Sequence, residues 1–282
     1  MVIQLTNEPY DALAVTATSV LGIEMFDFQI EVLRCIQHYP RVACVASRQI
    51  GKSVSITILA LTFSLCKPDQ TVLIVSTGER QVKELLTKRN YSIKKVFKRA
   101  GRDSLLLPNV CQKSLIKNVA NEAGLKVEFK VIRDNAEEIE FPNGSRIIVV
   151  PSNPDTVAGF TADLLIGDEV AKMPNWNEIQ AATFPFVART GGKIALFSSY
   201  KGKNHWYDIT QDKMSPENPK GWCVLKYPVS VNPPPDLDQL KHDFPLDVYM
   251  EEFECIPMDE AHSLFPYSLI EACSNGNFAE WI

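Results

Sequence analysis

The chain has 282 residues, which suffice for one large α/β core with a small appendage or for two modest domains. Hydrophobic residues make up 45% of it and charged residues 22%, as in an ordinary globular protein. The formal net charge of -5 excludes a generally basic nucleic-acid-binding protein, so a polyanionic partner would have to meet a local basic patch.

The cysteines and histidines do not form metal-binding patterns. The seven cysteines are odd in number and contain no C-x-x-C pair, which predicts reduced thiols in a cytosolic setting and argues against a zinc site. Acidic residues near the N-terminus argue against a signal peptide. The longest apolar run, near residues 56–66, is too short to span a membrane.

Apolar runs alternate with helix-like segments through the first two thirds of the chain. This alternation predicts an α/β fold with a mainly parallel central sheet flanked by helices. A helix rich in Lys and Arg is predicted from about 79 to 99, and Asn143-Gly144 predicts a hairpin between 138–141 and 146–150. The other predicted strands are 42–46, 71–76, 164–167 and 193–198.

The composition changes after Val229. Three consecutive prolines, 233–235, predict a stiff linker, and the remaining residues predict short helices. We therefore predict a main domain over 1–230, which begins with an N-terminal arm over 1–25, and a small helical linker subdomain over 231–282.

Residues 46–53, Ala-Ser-Arg-Gln-Ile-Gly-Lys-Ser, match the phosphate-loop pattern G-x-x-x-x-G-K-[ST] except at its first glycine, which is Ala46. A buried strand is predicted before this segment and an apolar helix after it, which is the context that the motif requires. Backbone N–H groups of such a loop would face the phosphates of a nucleotide. The predicted nucleotide-binding residues are Ser47, Arg48, Gln49, Ile50, Gly51, Lys52 and Ser53.

Three side chains of this loop have separate predicted roles. Lys52 would reach the β- and γ-phosphates, and the Ser53 hydroxyl would ligate Mg²⁺. Arg48 could contact the γ-phosphate from the same subunit, or it could form a salt bridge with an acidic residue.

A pair of acids follows the apolar run 164–167. Asp168 would lie at the carboxyl end of a strand, where open α/β sheets bind ligands, and could hold Mg²⁺. Glu169 could polarise a water molecule for attack on the γ-phosphate. The alternative is a helix N-cap, since a helix is predicted near Asn177.

Two further features fit an ATP site. The amide of Gln29 could hydrogen-bond an adenine edge, although a surface glutamine on an amphipathic helix would give the same pattern. Ser198 and Ser199 end a predicted strand and could sense the γ-phosphate, although Ser-Ser after a strand is also an ordinary turn.

Together these segments resemble the large terminase subunits of tailed bacteriophages, which are ATP-driven motors that pump viral DNA into a preformed capsid. The resemblance covers most of residues 26–270. It rests on Ser-Arg-Gln-Ile-Gly-Lys-Ser, on Leu-Leu-Ile-Gly-Asp-Glu, and on the segments 153–159, 198–207 and 251–255.

The resemblance implies a P-loop NTPase of the additional-strand catalytic-glutamate type, with ATP and Mg²⁺ as cofactors. It implies that Gln29 recognises adenine, Glu169 is the catalytic base, Asp168 holds Mg²⁺, and Ser198 and Ser199 couple hydrolysis to movement. It assigns Arg48 and Lys52 to catalysis as well. The implied partners are double-stranded DNA, a portal and procapsid, a small terminase subunit and further copies in a ring, in the host cytoplasm and without a membrane.

Two departures from the family pattern stand out. The family usually has an arginine before the glycine at 159, and Ala158 stands there. Such an arginine is a candidate finger for a neighbouring subunit's ATP, so either Arg146 or Arg189 replaces it or Ala158 is an engineered substitution. The chain also ends at Ile282, before the family's C-terminal nuclease domain could fit, so no nuclease activity is expected.

DNA contact and two other activities stay open at this point. The densest basic stretch, 88–102, could neutralise DNA phosphates or could be a solvated helix face. A helicase-like ATPase has the same nucleotide motifs but needs a second RecA-like domain. A kinase or nucleotide-binding adaptor would need an arginine-bearing lid and would lack Glu169 next to the metal-binding acid.

Overall fold

The computed structural model describes residues 12–21, 23–85, 133–134, 138–141 and 143–258. The strands in this part of the chain are β1 (Arg41–Ala46), β2 (Thr71–Ser76), β3 (Arg133–Asp134), β4 (Glu138–Glu140), β5 (Arg146–Pro151), β6 (Leu164–Asp168), β7 (Lys193–Ser198) and β8 (Cys223–Tyr227). They form one sheet in the order β3-β4-β5-β2-β6-β7-β1-β8. The pairs from β5 to β8 are parallel, and the β3–β4 and β4–β5 pairs are antiparallel.

Helices cover both faces of this sheet. Those in the described ranges are α1 (Ala12–Val15), α2 (Asp27–His38), α3 (Lys52–Cys66), α4 (Glu79–Lys83), α5 (Pro154–Val157), α6 (Trp176–Thr190), α7 (His205–Gln211), α8 (Leu237–Asp243) and α9 (Leu246–Glu252). A π-helical turn, Thr16–Val20, follows α1, and 3₁₀ turns span Val170–Lys172 and Val229–Val231.

The strand residues alternate between two hydrophobic cores. In β1, Val42 and Cys44 pack with α1, α2 and α3 on one face, whereas Ala43 and Val45 pack with α5, α6 and α7 on the other. Because both faces are covered, the central parallel strands are continuous apolar runs rather than alternating ones. The helix α3 is apolar on nearly all sides for the same reason, since it is buried along most of its length.

The strand order decides which loops meet. β7 lies between β1 and β6, with Cys44 and Asp168 both in register with Phe197. The carboxyl ends of β1, β7 and β6 are therefore adjacent at one edge of the sheet. This arrangement brings the loop after β1 next to the acidic pair at the end of β6.

The predicted strands and the predicted hairpin are confirmed. Gly144 adopts φ 85°, and Asn143 Nδ2 donates to the Ser64 carbonyl at 2.8 Å, which fixes the turn between β4 and β5. The strand β8 was not predicted, because its sequence is short and only partly apolar. The predicted helix from 79 to 99 is present as α4 at its start, and its continuation lies outside the described residues.

The described C-terminal residues form a small cluster of their own. Val229, Tyr249 and Phe253 are its buried members, and α8 and α9 surround them. The Arg48 N–H donates to the Glu252 carbonyl at 2.8 Å, so this region contacts the loop after β1 directly. The division at residue 231 stays a prediction. None of the helices described here is long and apolar enough to cross a membrane.

Candidate functional site

A cavity of about 350 Å³ lies at the carboxyl edge of the sheet. Most of the predicted site residues line it, namely Ser47, Arg48, Gln49, Gly51, Lys52, Ser53, Asp168 and Glu169. Two separate segments supply them, since the loop between β1 and α3 forms one wall and the end of β6 forms another. Thr57 of α3 and Gln81 of α4 also line the cavity and were not predicted from the sequence.

The loop between β1 and α3 has the backbone shape that an anion cradle requires. Gln49 and Gly51 adopt φ values of 61° and 109°. A Cβ on Gly51 would lie 3.4 Å from Gln29 Nε2 in a conformation that L side chains rarely adopt, so glycine is required there. α3 begins at Lys52 and directs the positive end of its dipole to the cavity. The Ile50 side chain is buried in the core, so this residue can meet a ligand only through its backbone.

Lys52 and Glu169 form a buried ion pair across the cavity. Lys52 Nζ lies 2.5 Å from Glu169 Oε1, and the side chains are 8% and 15% exposed. Burial acts to raise the pKa of Glu169, but the charges of Lys52 and Lys172 outweigh it and lower that pKa to about 2. Burial likewise acts to lower the pKa of Lys52, and the charges of Glu169 and Asp168 raise it instead. Both groups are therefore ionised at neutral pH.

Glu169 begins the 3₁₀ turn Val170–Lys172 in a left-handed conformation, with φ 59°. Its side chain makes no capping hydrogen bond, and α6 begins only at Trp176, so the alternative of a helix N-cap is wrong. The turn directs the carboxylate of Glu169 into the cavity. Asp168, one residue earlier, is 4% exposed at the end of β6.

The two serines after β7 are fully buried and do not line the cavity. Ser198 Oγ accepts a hydrogen bond from the Ala171 N–H at 3.1 Å, and Ser199 Oγ donates to Glu252 Oε2 at 2.6 Å. They connect the acidic turn and the C-terminal region to the sheet. Any response of these serines to a phosphate would therefore be indirect.

Glu252, at the end of α9, is a site residue that was not predicted from the sequence. Its Oε2 lies 2.9 Å from Arg48 Nε, so the loop arginine forms a salt bridge in this structure. Its Oε1 lies 3.4 Å from the Nζ of Lys172, which also lies 2.9 Å from Glu169 Oε2. The segment 251–255 was part of the family resemblance, but no local pattern in it indicates these partners.

Gln29 is buried and therefore not a surface residue of an amphipathic helix. Its Oε1 accepts a hydrogen bond from the Phe26 N–H at 3.1 Å and so caps α2. Its Nε2 faces Gly51, where it is the nearest atom that an added Cβ would meet. The amide thus lies beside the loop, and its contact with adenine stays a prediction.

The three positions considered for an arginine finger lie at different edges of the sheet. Arg146 is at the start of β5, 3.8 Å from Glu138, and Arg189 is in the last turn of α6. Both are at the edge where the parallel strands begin, opposite the cavity. Ala158 instead is exposed just after β5 ends, at the same edge as the cavity. The basic stretch 88–102 lies outside the described residues.

The donor set suits Mg²⁺ shared with a nucleotide. The Ser53 hydroxyl and the Asp168 carboxylate both line the cavity and offer oxygen ligands. Within the described ranges, no group of three or more His, Cys, Asp or Glu side chains could hold a metal ion by itself. Mg²⁺ is commonly bound by one or two protein oxygens together with substrate phosphates, so these residues fit it.

This fold and this site define a class of protein. A phosphate loop after β1, an acidic pair after β6 and an additional strand between them are the features of an additional-strand P-loop NTPase. The family described as "Terminase large subunit, T4likevirus-type, N-terminal" matches residues 43–272. The chain therefore belongs to the large terminase family.

Solved structures share the same fold. The large terminase ATPase domain of Thermus phage P74-26 has a TM-score of 0.57 at 16% identity, over 86% of this chain and 97% of that one. The large terminase of a second thermophilic bacteriophage, in complex with ATP-gamma-S, has a TM-score of 0.56 at 15% identity. That match covers 84% of this chain and 53% of the other, so this chain spans about half the length of that protein.

Proposed function

We propose that this chain is a Mg²⁺-dependent ATPase and the motor domain of a viral large terminase, which couples ATP hydrolysis to the packaging of double-stranded DNA into a procapsid. One observation carries the proposal: Lys52, Ser53, Asp168 and Glu169 face one cavity at the carboxyl edge of an additional-strand sheet. Membership of the large terminase family supports a packaging motor over a helicase-like ATPase.

The phosphate loop binds the triphosphate of ATP. Backbone N–H groups and the positive end of α3 attract the phosphates, and Lys52 adds a full charge. The guanidinium of Arg48, which is half exposed at the cavity, leaves Glu252 and pairs with the γ-phosphate. Gln29, beside Gly51, hydrogen-bonds the adenine edge.

Binding of the phosphates changes the state of Glu169. Without nucleotide, Lys52 holds the Glu169 carboxylate at 2.5 Å and keeps its pKa near 2, which makes it a weak base. The phosphates compete for Lys52, so the pKa of Glu169 rises and its carboxylate can accept a proton from a water molecule. That water forms the new bond to the γ-phosphorus as the bond to the β–γ bridging oxygen breaks, which gives ADP and phosphate.

Mg²⁺ bound by Ser53 and Asp168 would supply positive charge to the phosphate oxygens. The loss of the γ-phosphate reaches the rest of the chain through residues that already touch. Ser198 holds the turn that carries Glu169, and Ser199 holds Glu252 of α9. These contacts give the movement of the C-terminal region a path from the nucleotide.

The remaining parts of the proposal follow from the family. The partners are double-stranded DNA, the portal and procapsid, the small terminase subunit and further copies of this chain in a ring. The protein acts in the host cytoplasm during virion assembly. The complex of a similar phage large terminase with ATP-gamma-S supports the choice of ATP as the nucleotide.

Phosphate release tests the proposal. The purified chain is incubated with ATP and Mg²⁺, with and without double-stranded DNA, and a parallel sample contains a chelator. We expect hydrolysis that the chelator abolishes, that Lys52→Met reduces by about 10²-fold or more, and that the exposed control Lys220→Met leaves unchanged. Absence of hydrolysis in the presence of Mg²⁺ and DNA, at concentrations that allow a ring to assemble, would overturn the ATPase assignment.

A further inference from the structure

Glu169 has a second cation beside it that no phosphate-loop motif includes. Lys172 Nζ lies 2.9 Å from Glu169 Oε2, on the oxygen that Lys52 does not hold. The Lys172 side chain is 27% exposed, so the contact is partly shielded from water. The two lysines therefore hold one carboxylate oxygen each.

Lys172 also reaches the C-terminal region. The same Nζ lies 3.4 Å from Oε1 of Glu252 in α9, whose other oxygen is held by Ser199 and Arg48. Opposite charges thus alternate from Lys52 through Glu169, Lys172 and Glu252 to Arg48. Lys172 is the point in this chain of charges where the acidic turn meets α9.

The backbone that carries Lys172 is held from three directions. Ser198 Oγ accepts from the Ala171 N–H at 3.1 Å, and Asn204 Nδ2 donates to the Ala171 carbonyl at 2.9 Å. His205 Nε2 donates to the Val170 carbonyl at 2.8 Å. This gives the Asn204-His205 segment a structural role, because it fixes the turn from which the Lys172 side chain extends.

We propose that Lys172 is a positioning residue, which holds the carboxylate of Glu169 in the orientation needed for hydrolysis and ties that orientation to Glu252 of α9. The inference rests on the ATPase function proposed above. When the phosphates take Lys52, Lys172 is the cation that still holds Glu169. The position of α9 then affects hydrolysis, because Glu252 and Glu169 share the same ammonium group.

The charged groups around this pair determine how pH enters the test. Among the described residues, Lys52, Asp168, Lys172 and Glu252 are the charges that the structure places around Glu169. Removal of Lys172 takes away one of the two charges that lower the pKa of Glu169. The acidic limb of the rate against pH should then move to higher pH.

The test compares Lys172→Met, Lys172→Arg and the exposed control Lys220→Met in steady-state ATP hydrolysis over pH 5 to 9. We expect Lys172→Met to lower kcat by about 10- to 100-fold with KM for ATP changed by less than about threefold, and to shift the acidic limb upward. Lys172→Arg should restore most of kcat, since it restores the charge. Lys172→Met combined with Glu252→Gln should lower kcat by less than the product of the two separate effects.

Three results would overturn the inference while wild-type hydrolysis is normal. These are an unchanged kcat in Lys172→Met, an unmoved acidic limb, or a loss that Lys172→Arg shares in full together with a lowered melting temperature, which would show a structural role alone. A wild-type chain without hydrolysis would instead refute the proposed function itself, and the positioning role with it. The two failures are thus distinguished by the wild-type rate.

Discussion

The replacement Glu169→Gln tests the site most directly, because it removes one charge from a residue that lies between two lysines. The pKa of Glu169 is lowered from 4.5 to about 2. This corresponds to about 3 kcal/mol of net interaction that favours the ionised carboxylate, at about 1.4 kcal/mol per tenfold change. Lys52 supplies the larger part of it, from 2.5 Å.

Two consequences of this replacement can be separated. Loss of a general base lowers hydrolysis by about 10²- to 10⁴-fold. Binding of ATP is retained, and it can tighten by up to about 10²-fold, because the phosphates no longer compete with Glu169 for Lys52. A neutral amide keeps the size and shape of the side chain, so the turn at φ 59° is not further strained.

Single-turnover phosphate release and calorimetric titration with ATP measure the two effects. The matched control is Glu178→Gln, since Glu178 is exposed in the first turn of α6 and lies outside the cavity lining. Turnover within about twofold of the wild type would refute the catalytic role of Glu169. A loss of ATP binding equal to the loss of turnover would refute the argument that Lys52 is released by the replacement.

Three further predictions concern the same site. Ala158→Arg should raise turnover only at protein concentrations that allow subunits to associate, because Ala158 is exposed at the nucleotide edge and the arginine would act on a neighbour; an increase that is independent of concentration would argue against this. Gln29→Glu keeps the acceptor for the Phe26 N–H but removes the amide donor, so KM for ATP should rise about tenfold or more while GTP is little affected, and equal effects on both nucleotides in a competition assay would contradict adenine recognition. Because the folded-state pKa of Glu169 is depressed, its contribution to stability is present above pH 4.5 and is lost as the pH falls towards 2. Urea unfolding of the nucleotide-free chain should therefore show a steeper acid loss in the wild type than in Glu169→Gln, and parallel pH profiles would disprove the ion pair.

The main features of the fold and most of the site could be predicted from the sequence. The central strands are buried on both faces and therefore appear as continuous apolar runs, and the Asn143-Gly144 turn needs the left-handed conformation that Gly144 adopts. The phosphate loop was recognisable because all its residues are contiguous. The acidic pair was recognisable because a buried strand directly precedes Asp168.

The errors and omissions have a common cause. The N-cap alternative for the acidic pair was wrong because a 3₁₀ turn, rather than an α-helix, follows Glu169. The surface alternative for Gln29 was wrong because α2 packs that side of its first turn against the phosphate loop. In each case a short pattern left two environments open, and only packing against another segment selected one.

By itself, the sequence determined the local chemistry: a loop that can cradle phosphates, a lysine and a hydroxyl at the start of α3, and two carboxylates at the end of β6. Only the tertiary structure decided which of these groups are neighbours. Insertion of β7 between β1 and β6 sets the spacing of the two walls of the cavity, and α9 brings Glu252 to Arg48 and Lys172. Ion pairs between distant segments leave no periodic signal in a sequence, because their partners are selected by strand order and packing rather than by local backbone geometry.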